Sequence, residues 1–144
     1  MRLTAHTDYA LRVLMSLAVM DDRLVTIEEL AARHRISRNH LMKVAQTLVG
    51  MGLVKGVRGR RGGLALAVPA ADIRMGKVVR MLEQDMVLVA CLGDDQANCA
   101  LIGLCRLTGA LRDAIEAFFA ELDRLTLADL VANRAAVRNR LAVA

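Results

Sequence analysis

Three cysteines, the only ones in the chain, fall within the stretch CLGDDQANCALIGLCR at positions 91, 99 and 105. Thiolates are nucleophiles and soft metal ligands, so three together suggest metal binding, redox chemistry or both. Cys91 and Cys99 are eight residues apart and would be rotated by about 80° on one helix, and Cys99 and Cys105 by about 240°. A single helical face therefore cannot gather them, and a folded loop must. Gly93, Asp94, Asp95 and Gly103 supply residues that suit its turns.

Three chemistries compete for this set. Buried free cysteines without a role are rarely gathered in threes. Structural zinc prefers C-x2-4-C pairs, and the spacing here is C-x7-C-x5-C. An iron–sulfur cluster accepts wider spacing and needs four ligand positions. Three thiolates leave one place for a nitrogen or oxygen ligand, and such a weaker ligand suits a sensor better than an electron carrier.

The elements that must position these residues begin with composition. The 144-residue chain is 56% apolar and only 2% aromatic, which favours helices packed through Leu, Val, Ala and Met. Its length fits one domain with an appended helix. No apolar run reaches the roughly 18 residues of a membrane span. Asp8 and Arg12 interrupt the apolar N-terminus, and no small-x-small cleavage site follows, so an amphipathic helix and a cytoplasmic location are expected.

Charge is placed unevenly. Residues 1–80 hold 14 Lys or Arg against 6 Asp or Glu, whereas residues 81–144 hold 6 against 9. The basic front half calls for an anionic partner. Helical spacing predicts a first helix from about Thr7 to Met20. Thr26 and Glu29 form a capping-box pattern that opens a second helix running to about His34. Ser37 caps a third, with Leu41, Val44, Ala45 and Leu48 on one face. Two short helices joined by a tight turn predict a helix-turn-helix.

Past Gly52 the period changes to two. Leu64, Leu66 and Val68 alternate with Ala65 and Ala67, and a hairpin over 53–69 with its tip near Gly59–Gly62 is expected. That makes a winged helix. The third helix leaves Ser37, Arg38, Asn39, His40, Lys43 and Thr47 off its apolar face. Arg38 and Asn39 are expected at base edges, with Lys43 and Thr47 on phosphates. Lys55, Arg58, Arg60 and Arg61 surround the hairpin tip, where cations enter a minor groove or clamp phosphates. Double-stranded operator DNA is the expected partner. A fourth helix is predicted from Ile73 to about Gln84, and a long one from about Leu107 to Leu125. TLADLVANR (126–134) starts again with Thr126 as cap. The division expected is 1–83 for DNA binding, 84–106 for the cysteine loop and 107–144 for dimerisation and a C-terminal helix. No G-x-S-x-G, P-loop or H-E-x-x-H supports an enzyme.

In motif order and over nearly the whole chain, LTAHTDYALRVL, TIEELAARHRISRNHLMKVAQTL, VRGRRGGLALA, the cysteines and ELDRLTLADLV resemble the iron–sulfur winged-helix repressors, and their nitric-oxide-sensing branch most closely. The resemblance implies a homodimer and a cluster held by Cys91, Cys99 and Cys105, with repression released when nitric oxide damages it. It implies a fourth ligand from the first helix of the partner subunit, at the position of Asp8, with Asp94, Asp95, His34 and His40 as rivals. Three cysteines and one oxygen fit a 4Fe-4S cluster, with 2Fe-2S the alternative. Two departures are visible. Thr108 stands where a sister subtype carries a histidine ligand, and the first cysteine gap is longer than the family's usual four or five residues. The alternative within DNA-binding proteins is a redox-sensing repressor answering oxidants through the cluster or through thiol pairing, followed by a zinc-stabilised one.

Overall fold

Helix α1 (Ala5–Val19) forms the spine of the fold, because eight of its residues, Ala10, Leu14 and Leu17 among them, are buried. The computed structural model describes residues 2–83, 87–93 and 99–142. Thr4 caps α1 by accepting the Thr7 amide, so the helix begins at Ala5, two residues earlier than the apolar pattern indicates. Helices α2 (Ile27–His34) and α3 (Arg38–Gly50) pack on it through Leu30, Leu41, Val44 and Leu48. Arg35 makes the turn between them in the left-handed region, at φ 54°.

Strands β1 (Val54–Val57) and β2 (Gly63–Leu66) pair antiparallel, with Val54 opposite Leu66 and Val57 opposite Gly63. Val25 adds a bridge on the far side of β2, exchanging both backbone bonds with Leu64 at 3.0 and 2.8 Å. Glycine suits position 63 there, since a Cβ would sit 3.0 Å from both the Val25 carbonyl and the Leu24 side chain, tighter than ordinary contact. The expected alternation stops at Leu66. Val68 is exposed, because the chain turns at Pro69 into a 3₁₀ turn over Ala70–Asp72.

Helix α4 (Met75–Leu82) begins two residues later than Ile73, whose carbonyl is taken by the Leu127 amide at 2.9 Å. Gln84 lies outside the described residues. Helix α5 (Arg106–Asp123) docks its C-terminal half on α4. Gly76 makes that approach possible: a Cβ would lie 2.1 Å from Asp123 Oδ1 and 2.9 Å from the Asp123 amide. Arg80 pairs with Asp123 at 2.7 Å and stacks 4.4 Å over the Phe119 ring.

The segment after Thr126 divides in two. Thr126 and Asp129 close a reciprocal capping box on α6 (Leu127–Leu130), and the chain restarts as α7 (Arg134–Ala142), with Asn133 Oδ1 accepting the Ala136 amide. Helix α7 straps the turn after α1 through Arg134–Asp21 at 2.6 Å and Arg138–Asp22 at 2.9 Å. The result is the mainly helical winged helix expected from the sequence.

Candidate DNA interface and metal centre

Ser37 Oγ accepts the His40 amide at 3.3 Å, fixing the start of α3. Arg38, Asn39, His40 and Lys43 are all exposed. Arg38 pairs with Glu28 of α2 at 2.8 Å, an exposed contact of little energetic weight that leaves the guanidinium free to exchange partners. Thr47 is half-buried instead. Its hydroxyl donates to the Lys43 carbonyl at 3.1 Å and lies 3.2 Å from His6 Nε2 of α1. His40 leans on Tyr9 of α1, with ring centroids 6.0 Å apart. These two pairs flank a cavity of about 170 Å³ between α1 and α3, lined also by Ala5, Lys43 and Val44.

The wing tip carries Arg58, Arg60 and Arg61 exposed around Gly59, whose φ of 116° only glycine adopts readily. The Gly62 amide closes the turn on the Gly59 carbonyl at 2.9 Å. Among the described residues none of the three arginines makes an ion pair, so their charge faces solvent. A groove of about 530 Å³ runs between the wing and the start of α2, with Glu28, Val49, Arg58 and Arg60 on its walls.

The capping box expected at Thr26 is half made. Thr26 accepts the Glu29 amide at 3.1 Å, but the Glu29 carboxylate turns away to Arg23 and Arg33. Hydrogen bonding from Arg23, helped by Arg33 and opposed by burial, holds Glu29 at about 2.

The cysteine region is built from two short pieces. Cys91 lies in a 3₁₀ turn over Ala90–Leu92, and Cys105 is the cap residue of α5. Thr108, in the first turn of α5, places its hydroxyl 3.5 Å from Cys91 Sγ. The amides of Thr108 and Leu107, then the Thr108 hydroxyl, hold the Cys105 thiol below its ordinary range. They face the sulfur without closing a full side-chain cap bond. Cys99 begins the turn that returns to Cys105, through Ile102 N to Cys99 O at 3.1 Å and Cys105 N to Leu101 O at 3.0 Å. All three thiols are free and half-buried. The structure thus joins Cys91 and Cys105 through Thr108. Among the described residues no three His, Cys, Asp or Glu side chains close on one point within a single chain. Asp94 and Asp95 lie outside the described residues.

Asp8 sits on the half-exposed side of α1, its carboxylate gripped by Arg12 through Nε at 2.9 Å and a terminal nitrogen at 2.7 Å. His34 is bound to Ser16 Oγ at 2.7 Å. Burial, then Arg12 and Arg33, press its pKa down against the pull of Asp8. Glu83, at the entrance to the cysteine segment, receives the Thr4 amide at 2.7 Å and the Thr4 hydroxyl at 2.9 Å. Burial works to raise its pKa, but the hydrogen bonds from Thr7 and Thr4 outweigh it and leave Glu83 below its ordinary range. His6, Tyr9 and Glu83 carry no signal of these contacts in the sequence, and Thr108 stood out there only as a departure from a sister subtype, by its place three residues after the last cysteine.

The Rrf2 family, described as iron-dependent transcriptional regulators, matches residues 3–133. The HTH-type transcriptional regulator NsrR of Geobacillus kaustophilus is 44% identical over 142 residues, covering 98% of this chain and 97% of its own. NsrR of Bacillus subtilis is 42% identical over 135 residues, covering 93% and 92%. Among solved structures, T. potens IscR superposes with a TM-score of 0.73 at 24% identity, over 92% of this chain and 88% of that one. The global cysteine regulator CymR of B. subtilis gives 0.69 at 25% identity, over 92% and 98%. These relatives are regulators and not enzymes, and the winged helix is their common fold. The chain is an NsrR-like transcriptional regulator and belongs to the Rrf2 family.

Proposed function

We propose that the protein is a cytoplasmic, homodimeric repressor that senses nitric oxide through an iron–sulfur cluster. Cys91, Cys99 and Cys105 of one protomer and Asp8 contributed by the other would hold the cluster, of the 4Fe-4S type. The observation that carries the reading is the meeting of Cys91 and Cys105 at Thr108, with Cys99 on the short turn leading into Cys105. The donor set fits such a group, being three free, half-buried thiols and a half-exposed carboxylate that a second chain could reach. When bound, the cluster supplies an iron centre that reacts with nitric oxide.

The apolar rim beside the thiols supports the dimer. Leu104 is 86% exposed, Leu101 62% and Leu107 61% in the single chain. Burying each fully against a twin contributes about 1.5–3 kcal/mol. Residues 107–144 would serve dimerisation, 84–106 the metal centre and 1–83 the DNA. Twofold symmetry would present two α3 helices and two wings to an operator with matching half-sites.

Asp8 gives the switch its two states. Both its oxygens are engaged by Arg12 here, so Arg12 and iron compete for one carboxylate. A pull on Asp8 that shifted α1 would reach the recognition helix, which α1 touches through His6–Thr47 and Tyr9–His40. A bistable contact of this kind is what coupling between two sites requires. Ser37, Arg38, Asn39, His40 and Lys43 would meet the major groove. Thr47 would hold the recognition helix to α1, and Arg58, Arg60 and Arg61 would meet the minor groove or phosphates.

The test is operator binding by anaerobic protein before and after nitric oxide. Wild type should bind and then release, while Cys99→Ala should bind weakly in both conditions. Binding that nitric oxide leaves unchanged would sink the proposal. A thiol-pairing repressor is the second reading, favoured by the common contact of Cys91 and Cys105 with Thr108. Iron content separates the two.

A further inference from the structure

Cys91 and Cys105 come from different pieces of backbone, and one side chain joins them. Thr108 is the third residue of α5, where the backbone amide ordinarily turns to the side chain of the cap residue. The cap residue is Cys105, so the Thr108 amide faces a sulfur. The hydroxyl of half-buried Thr108 also lies near that sulfur and is 3.5 Å from Cys91 Sγ, seventeen residues earlier, so it sits between the two cysteines. Helix α5 packs on the 3₁₀ turn that carries Cys91. Nothing else among the described hydrogen bonds connects that turn's cysteine to α5.

From this arrangement we infer that Thr108 is a positioning residue of the metal centre, donating its hydroxyl hydrogen to the Cys91 sulfur while its amide faces Cys105. The inference rests on the cluster reading proposed above. A threonine hydroxyl is a neutral donor, and a thiolate at Cys91 has only acceptor capacity to offer it. Donation therefore runs from oxygen to sulfur once Cys91 is a ligand. Hydrogen bonds to ligand sulfurs draw charge from the iron and favour its reduced state, one of the protein's levers on potential. Thr108 would then serve two ends: it selects the rotamer that turns Cys91 towards Cys105, and it raises the reduction potential of the centre.

The side chain also packs, so the test must separate hydroxyl from shape. Thr108→Val keeps the shape and removes the donor, while Thr108→Ser keeps the donor and removes the methyl. Wild type and both variants would be loaded anaerobically, assayed for iron, and titrated for midpoint potential by visible spectroscopy. The expected result is a more negative potential in Thr108→Val, with Thr108→Ser close to wild type. Loss of iron in Thr108→Val, with retention in Thr108→Ser, would equally support the hydroxyl as the element holding Cys91. Equal potentials and iron in all three would overturn the inference and leave the cluster reading standing. So would Thr108→Ser and Thr108→Val shifting alike, which would assign the effect to packing. A wild type that binds no iron would overturn both readings, which keeps the two failures distinguishable.

Discussion

Replacing Arg60 by Gln tests whether the wing meets DNA. Arg60 is exposed at the hairpin tip, and among the described residues it makes no ion pair, so its loss should cost the folded protein almost nothing. The proposed dimer would carry the change twice. Each phosphate neutralised contributes about 0.9 to the slope of log affinity against log salt, so removing two cations flattens it by about 1.8. Between 50 and 200 mM salt, wild type should lose about 12-fold more affinity than Arg60→Gln. Fluorescence anisotropy on an operator duplex across that range measures the slope directly. Arg140→Gln on α7 is the control, since it removes the same charge from an exposed position in a different element. Parallel slopes for wild type and Arg60→Gln, or equal flattening in the control, would refute a wing that engages DNA.

Further outcomes follow from the packing. Gly76→Ala should gain up to about 1 kcal/mol of helix propensity, yet it places a Cβ against Asp123. A net loss of about 1–3 kcal/mol is expected by thermal melting, and a higher midpoint would contradict the close approach of α4 and α5. Thr126→Ala should cost about 0.5–2 kcal/mol in urea titrations by opening the α6 capping box. The Glu29 carboxylate, held at about 2, stabilises the fold fully above its unfolded value. That stability is lost as pH falls from about 4.3 through the folded value, so Glu29→Gln should flatten the acid side of the stability profile between those limits. Asp8→Ala frees Arg12 and removes the proposed oxygen ligand, so it should weaken cluster retention while leaving the melting temperature nearly unchanged. Equal iron loss rates with wild type would point to another fourth ligand.

What the sequence made legible was local. Thr26, Ser37 and Thr126 announce helix starts because a hydroxyl caps its own first turn, and all three do so. The wing was readable from glycine and arginine around a period-two run. Contacts set by tertiary competition were not. Glu29 leaves its capping role because Arg23 and Arg33 offer stronger charge-assisted bonds. Ile73 is drawn from α4 by its bond to Leu127, and Val25 joins the wing from 39 residues away, pairings that no local pattern encodes. The long helix α5 was legible, but of its residues only Phe119 is fully buried, while Leu111, Ile115, Phe118 and Leu122 are half-buried. The cysteines were conspicuous by type. Their junction through Thr108 was not, because it depends on how α5 lies against a distant turn.

In the proposed function these cysteines hold iron and sulfide. The most direct test is iron and acid-labile sulfide per chain, with a visible spectrum, on protein purified without oxygen. About four of each are expected, with a brown chromophore that bleaches with nitric oxide as operator binding is lost. Colourless protein that binds the operator without iron, and is indifferent to nitric oxide, would contradict it.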